Sequence, residues 1–299
     1  MMPRRLETQQ LWGWRAVVYL FLAGTGSGST LVAVVYAFLF NSYSTFTAIG
    51  LMVGPPLGIL GSFFLFLDLG RPLLSYLAPR RPGSSWISRG FLILAAFILL
   101  GLIHLALWIW PWQVVESGSS TWWFFGALNG VLAFLTAIYT GLLLGASPIP
   151  FWNTPILPVL FLVSSVSTGI AAIVFVAVHI LGLNIPPDEA LFLIQTDGVI
   201  IVLEMILIAF YLYGMKLVSA ARGSVTTVVR GRLAGSFWIG LVGVGLVVPL
   251  VSEWTGDWTL LPTVCTLAGG YFLRSIVVSA GIKVPLSAQG IIIPIPGKN

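Results

Sequence analysis

Charge is what this chain has least of. Only 8% of its 299 residues are Asp, Glu, Lys or Arg, while 58% are hydrophobic. Soluble domains carry roughly a quarter charged residues, so an ordinary water-facing surface is excluded. A single cysteine, Cys265, excludes an internal disulfide. It also excludes an iron–sulfur cluster held by this chain alone, which takes several thiolates. Two histidines, His104 and His179, leave at most one bis-histidine haem. Each stands alone, without a companion at helical spacing, and a lone buried imidazole is ordinarily just hydrogen-bonded. The glycine-rich stretch AGTGSGST, residues 23 to 30, lacks the lysine and the preceding strand that a nucleotide-binding loop requires. The opening MMPRRLETQQLWGW has no short apolar region followed by a small-residue cleavage site, so no removable signal peptide is expected.

What is abundant is long apolar sequence. Eight runs long enough to cross a hydrocarbon layer of roughly 30 Å lie near residues 15 to 40, 48 to 67, 89 to 112, 121 to 146, 155 to 183, 190 to 215, 234 to 252 and 258 to 281. They are continuous rather than alternating, which selects helices over the short strands of a barrel. The expected fold is an all-α integral membrane protein of eight transmembrane helices, a single domain over residues 1 to 299. No soluble domain fits between the spans.

Eight spans put both termini on one side, and the loops then separate by charge. The terminal side holds Arg4, Arg5, Arg71, Arg80, Arg81, Arg89, Lys216, Arg222, Arg230, Arg232, Lys283 and Lys298. The opposite loops hold Glu116, Asp188, Glu189, Glu253 and Asp257, and no Lys or Arg. The positive-inside rule therefore puts the termini in the cytoplasm. The net charge of +5 is accounted for by topology rather than nucleic-acid binding. Trp108, Trp110, Trp112, Trp122, Trp123, Trp254 and Trp258 gather at the acidic side as an interfacial belt.

Charged residues within or against the spans are functional candidates because of their desolvation cost. They are Arg15, Asp68, Asp197, Glu204 and Arg274. Asp197 and Glu204 are seven apart, two turns along one helix face. They are either a proton relay, with His104 as a further station, or groups that pair with Arg274 and fix packing. Asp68 and Arg71 close the second run and share a side if the helix continues through Gly70. Small residues in AGTGSGST and in SSVSTG, residues 164 to 169, allow close helix approach.

In order along the chain stand WGWRAVVYLFLAGTGSG in the first span, LDLGRP after the second, SSWISRG opening the third, and YTGLLLGASPIPFWNTPILPVLFLVSSVSTG across the fourth and fifth. DGVIIVLE, FWIGLVGVGLVVPL and LRSIVVSAG follow in the last three. In this order and spacing the chain resembles the NrfD family, the membrane subunits of polysulfide reductase and related respiratory molybdoenzyme complexes. The resemblance implies two four-helix bundles, spans 1 to 4 over about 15 to 146 and spans 5 to 8 over about 155 to 281. It implies a quinone-reactive membrane anchor using menaquinone or ubiquinone, with no haem. Electrons would pass to or from a ferredoxin-like iron–sulfur subunit of the four-cluster type, which serves a molybdenum or tungsten catalytic subunit. This chain would be the quinone-reactive part of an oxidoreductase, without the substrate chemistry.

The family's tyrosine on helix 4, expected to hydrogen-bond a quinone carbonyl, matches Tyr139. A helix 1 position that can hold a histidine in the family is Tyr19 here, which keeps a hydrogen-bond donor but not the imidazole. Where the family often has LAGQ or YAGQ near the end of its last helix, this chain has SAGI, with Ile282 in place of the amide. Asp68 and Arg71 are expected to line or brace the headgroup pocket, Asp68 as the titratable group with access to water, and to border the docking surface of the iron–sulfur partner. In polysulfide reductase the partners lie outside the cytoplasmic membrane, on the terminal face, whereas the charge rule turns that face to the cytoplasm here. Two other functions compete: a proton-translocating subunit using Asp197, Glu204 and His104, and a purely structural anchor.

Overall fold

The computed structural model describes residue 9 and residues 12–41, 43–68, 83, 85–109, 112, 114–255, 260–282, 287–288 and 291–292. Arg71 lies outside the described residues, as do the basic residues 4, 5, 80, 81, 283 and 298.

The apolar runs become helices because a backbone in hydrocarbon must satisfy its own hydrogen bonds. They are α1 (Trp14–Phe40), α2 (Thr45–Asp68), α3 (Trp86–Trp108), α4 (Ser120–Gly145), α5 (Ile156–Val174), α6 (Pro187–Leu217), α7 (Arg222–Val229), α8 (Val248–Thr255) and α9 (Leu260–Ser279). Two stretches are wound as π-helix: Phe175–Ile180, which continues α5, and Ser236–Val247, which leads into α8. Among the described residues, seven helices are long and apolar enough to cross a membrane, and the expected seventh span is the shorter apolar helix Ser236–Ser252. The protein is thus an all-helical, multi-pass membrane protein. Beyond the helices, Ser287–Ala288 and Ile291–Ile292 pair as a two-stranded antiparallel ribbon.

One boundary differs from the sequence expectation for a physical reason. Asp188 and Glu189, read as loop residues, form the first turn of α6, where carboxylates meet the positive end of the helix dipole. The side chain of Glu189 is buried and hydrogen-bonds Ser44.

Within the first half α1 packs on α2 and α4, and α3 on α4 and α2; within the second, α5 packs on α6 and α9, and α9 on the π-helical segment Ser236–Val247. α1 and α5 join the halves, and here the small residues act as expected. A Cβ on Gly28 would overlap the backbone carbonyl of Ser165, and one on Gly169 would overlap the backbone of Gly28 and Ser29. The two helices cross backbone to backbone, the close approach that small residues permit in a bilayer. On the terminal face, the Gln9 amide N–H donates to Gly281 O at 2.9 Å, and Gln9 Nε2 donates to Val278 O at 3.2 Å. The segment before α1 and the end of α9 therefore meet on one face.

Candidate functional site

Tyr139 lies near the end of α4, beside the start of α3. The capping Ser85 accepts from Ser88 N–H and starts α3 there. The Trp86 carbonyl lies in the first turn of α3, and the Tyr139 hydroxyl donates to it at 2.8 Å. The tyrosine ring lies against Gly90, where any added Cβ would overlap it. Tyr139 is 3% exposed and Tyr19, from α1, 2% exposed. The two are close enough to interact electrostatically.

Trp86 also walls a groove of about 260 Å³ that continues along Leu142, Ala146, Asn153 and Pro158. Asn153 also borders a second groove, of about 400 Å³, lined by Pro148, Ile149, Pro150, Met215 and Val218. Both are mostly apolar and share this amide, the composition of a site for an apolar molecule with a polar end. The α4–α5 connection beside them is held by two long-range bonds: Tyr211 Oη to Phe151 O at 2.7 Å, and Trp152 Nε1 to Val277 O at 2.8 Å. Arg89 stacks its guanidinium 4.7 Å over the Trp86 ring at the rim.

Asp68 ends α2, half-buried, and a Cβ added to Gly13 would stand 3.7 Å from its Oδ1. Arg15 Nη1 donates to the Leu67 carbonyl beside it at 2.8 Å. The carboxylate thus sits where α2 ends against the start of α1, on the terminal face.

The carboxylates of α6 form a second centre, in the membrane interior. Asp197 and Glu204 are 3% and 4% exposed and interact with one another. Ser164 on α5 hydrogen-bonds Glu204 and also accepts from Arg274 Nη1 at 3.2 Å. Arg274, fully buried on α9, further donates from Nη2 to Ser165 Oγ at 3.0 Å, from Nη1 to Gly270 O at 2.8 Å, and from Nε to Leu20 O at 3.1 Å. Its guanidinium faces the Phe161 and Phe21 rings at 5.5 and 6.0 Å. One guanidinium therefore ties α1, α5 and α9 together and approaches the α6 carboxylate through one hydroxyl.

His104 belongs to neither centre. Its ring contacts come from α3 and α4: Asn129 Nδ2 stands 3.1 Å from His104 Nδ1, and Trp108, Trp122 and Phe125 surround the imidazole. Among the described residues, no group of three or more His, Cys, Asp and Glu is arranged to hold a metal ion.

Sequence reasoning missed Ser164 and Ser165 as ligands of Arg274, and Asn129 as the partner of His104. The first had a signal: an arginine in mid-membrane needs acceptors, and SSVSTG holds hydroxyls as well as small volumes. The second had a weaker one, since Asn129 is an uncharged amide in an otherwise apolar run. Trp86 contributes through its main chain, which no side-chain pattern reveals.

The family model described as polysulphide reductase, NrfD, matches residues 5–285. The C subunit of Wolinella succinogenes polysulfide reductase is 29% identical, the alignment covering 91% of this protein and 94% of that relative. Protein NrfD of Escherichia coli is 30% identical over 91% of this protein and 95% of its own length. A Haemophilus influenzae protein NrfD homolog is 26% identical over 91% and 94%.

Proposed function

Because this protein belongs to the NrfD, polysulphide reductase, family, we propose that it is the quinone- or quinol-reactive electron-transfer subunit of a respiratory oxidoreductase complex. It exchanges electrons with an iron–sulfur subunit docked on the terminal face, which in turn serves a molybdenum or tungsten catalytic subunit. The observation that carries this reading is the Tyr139 hydroxyl, buried beside Tyr19 and bonded to the wall of an apolar groove.

A quinone and its quinol differ by two electrons and two protons, so their site needs hydrogen-bonding groups at the oxygens and a route for protons to water. Tyr139 holds its proton on the Trp86 carbonyl and so presents oxygen lone pairs, which accept from a quinol hydroxyl. Toward a quinone carbonyl the same O–H must turn away from Trp86, exchanging one hydrogen bond for another at a net cost of about 1 kcal/mol or less. Tyr19 supplies a second phenol. Asp68, at the helix end, takes and releases protons at the water boundary, with Arg71 three residues on in sequence. The apolar grooves accommodate the isoprenoid tail.

The membrane is the cytoplasmic membrane, with the termini on the cytoplasmic side as the loop charges direct. The test is quinone-linked electron transfer in the purified complex, wild type against Tyr139→Phe, read on the partner's iron–sulfur signals. Turnover is expected to fall roughly 5- to 150-fold, the equivalent of about 1–3 kcal/mol, with the clusters intact. Unchanged turnover moves the site away from Tyr139 and favours a structural anchor.

A second reading rests on the buried link from Glu204 through Ser164 to Arg274 with Asp197 nearby. It makes this subunit proton-translocating, coupled to the redox complex. Glu204→Gln then abolishes proton movement while sparing electron transfer; unaltered proton movement removes this reading.

A further inference from the structure

The connection between α6 and the π-helical segment Ser236–Val247 concentrates positive charge. Lys216, Arg222, Arg230 and Arg232 lie in it, and residues 205 to 252 contain no Asp or Glu. All four cations are exposed. The stretch belongs to the terminal face, because Arg232 Nη2 donates to the Ser279 carbonyl at 3.0 Å, beside the Val278 and Gly281 carbonyls that hold Gln9. The positive-inside rule is satisfied by these charges wherever their side chains point. Their placement goes further than topology requires.

One of the cations is held in place. α7 ends in a turn, with Arg230 N–H donating to Thr226 O at 2.9 Å and Leu233 N–H donating to Thr227 O at 3.1 Å. This turn carries Arg230 and Arg232 on either side of Gly231. The single bond to Ser279 O fixes the Arg232 guanidinium and leaves most of its five donors open for an anion. A guanidinium held in this way gives up less freedom for each further hydrogen bond it makes.

The flank below the turn is apolar. Trp238 Nε1 donates to the Val229 carbonyl at 3.1 Å, which pins the indole to the end of α7, next to Arg230 in sequence. Trp238 and Ile239 are 52% and 71% exposed where the apolar helix Ser236–Ser252 begins. On a membrane-embedded helix an exposed apolar side chain faces lipid, and tryptophan at its end sits at headgroup level. A phospholipid with an anionic headgroup presents a phosphate to the arginines and acyl chains to Trp238 and Ile239. An acidic face of a soluble partner matches the charge but not the apolar flank.

We propose that Arg230, Arg232 and Trp238 form a binding site for one anionic phospholipid at the rim of the terminal face. The two guanidiniums hold the phosphate through charge-assisted hydrogen bonds, and an acyl chain runs along Trp238 and Ile239. Lys216 and Arg222 are joined at the other end of α7, where Arg222 Nε donates to Lys216 O at 2.9 Å. Eight residues of helix, about 12 Å, separate the two pairs. The site is independent of the quinone reading.

The test uses the full-length protein in its complex, purified in detergent, with phosphatidylglycerol and phosphatidylcholine as probes and native mass spectrometry as readout. The wild type is expected to hold phosphatidylglycerol the more tightly. Arg230→Gln combined with Arg232→Gln is expected to weaken that binding about 25-fold, roughly fivefold per cation, and to leave phosphatidylcholine binding unchanged. Lys216→Gln combined with Arg222→Gln removes the same charge at a distance beyond the Debye length and is expected to weaken it no more than about twofold. Equal losses in the two double variants indicate diffuse surface charge and overturn the site, as does equal affinity of the wild type for the two lipids. Inorganic phosphate at the lipid's concentration is expected to leave the lipid bound; displacement reassigns the arginines to a soluble anion and overturns the proposal. Density for the complex in a phosphatidylglycerol bilayer disc is expected to show a phosphate against both guanidiniums, and a partner carboxylate in its place overturns the proposal too.

Discussion

In the half built on α5, α6 and α9, Arg274 is fully buried yet makes four hydrogen bonds and meets Glu204 through Ser164. In the half built on α3 and α4, His104 and Asn129 are equally buried, carry no formal charge when the imidazole is neutral, and make one bond to each other. The contrast follows from what each group costs to bury. A guanidinium in hydrocarbon needs nearly every N–H satisfied and a counter-charge, so it draws acceptors from three helices. An imidazole and an amide cost far less, and aromatic packing tolerates them with a shorter set of partners. The charged centre therefore organises the tertiary structure, while the neutral one is accommodated by it.

That contrast breaks most visibly at Arg274. Arg274→Leu leaves Glu204 buried without its partner and is expected to destabilise the protein by about 3–5 kcal/mol. Thermal unfolding in detergent measures this, and adding Glu204→Gln to the same protein is expected to restore part of the loss. No recovery in the double variant would mean that Glu204 and Arg274 are not coupled.

Next is the crossing on which the Arg274 centre depends. Gly28→Leu forces α1 from α5, where a Cβ already overlaps Ser165. Overpacking of this kind costs typically about 1–3 kcal/mol, and the same unfolding assay is expected to place it below Arg274→Leu.

At the neutral centre the order of single and double variants is informative. Asn129→Leu strands the imidazole and is expected to cost about 1–3 kcal/mol, whereas His104→Phe combined with Asn129→Leu removes both partners and is expected to be closer to wild type. A double variant worse than the single one would show that the pair is worth more than its replacement by apolar packing.

The smallest stability effect is expected at Tyr139. Tyr139→Phe forfeits one bond to Trp86, and such bonds within membrane helices average about 0.6 kcal/mol. Its effect on quinone-linked turnover is expected to exceed its effect on stability, which separates a site residue from a packing residue.

Several of these features were readable before folding. The spans followed from apolar length alone, because the hydrocarbon layer sets a minimum that a helix must meet. Gly28 and Gly169 were readable as a close-approach surface, since only small residues let backbones touch. Asp197 and Glu204 were marked by their charge in mid-span. Helix winding was not legible: Ser236–Val247 reads as an ordinary apolar run, yet it is wound as π-helix where it packs against α9. Asp188 and Glu189 were assigned to a loop because the sequence shows their charge and not the helix start that receives it.

Composition and run length by themselves determined that this protein is helical and crosses a membrane repeatedly, since transfer to lipid depends on side-chain polarity and segment length, quantities each segment carries alone. Tertiary structure alone decided that the Tyr139 hydroxyl donates to the Trp86 carbonyl, that Ser164 stands between Glu204 and Arg274, and that His104 meets Asn129 among tryptophans. Hydrogen bonds reach only about 3 Å, and residues 53, 110 and 25 positions apart come within that distance only when helix crossings bring them there.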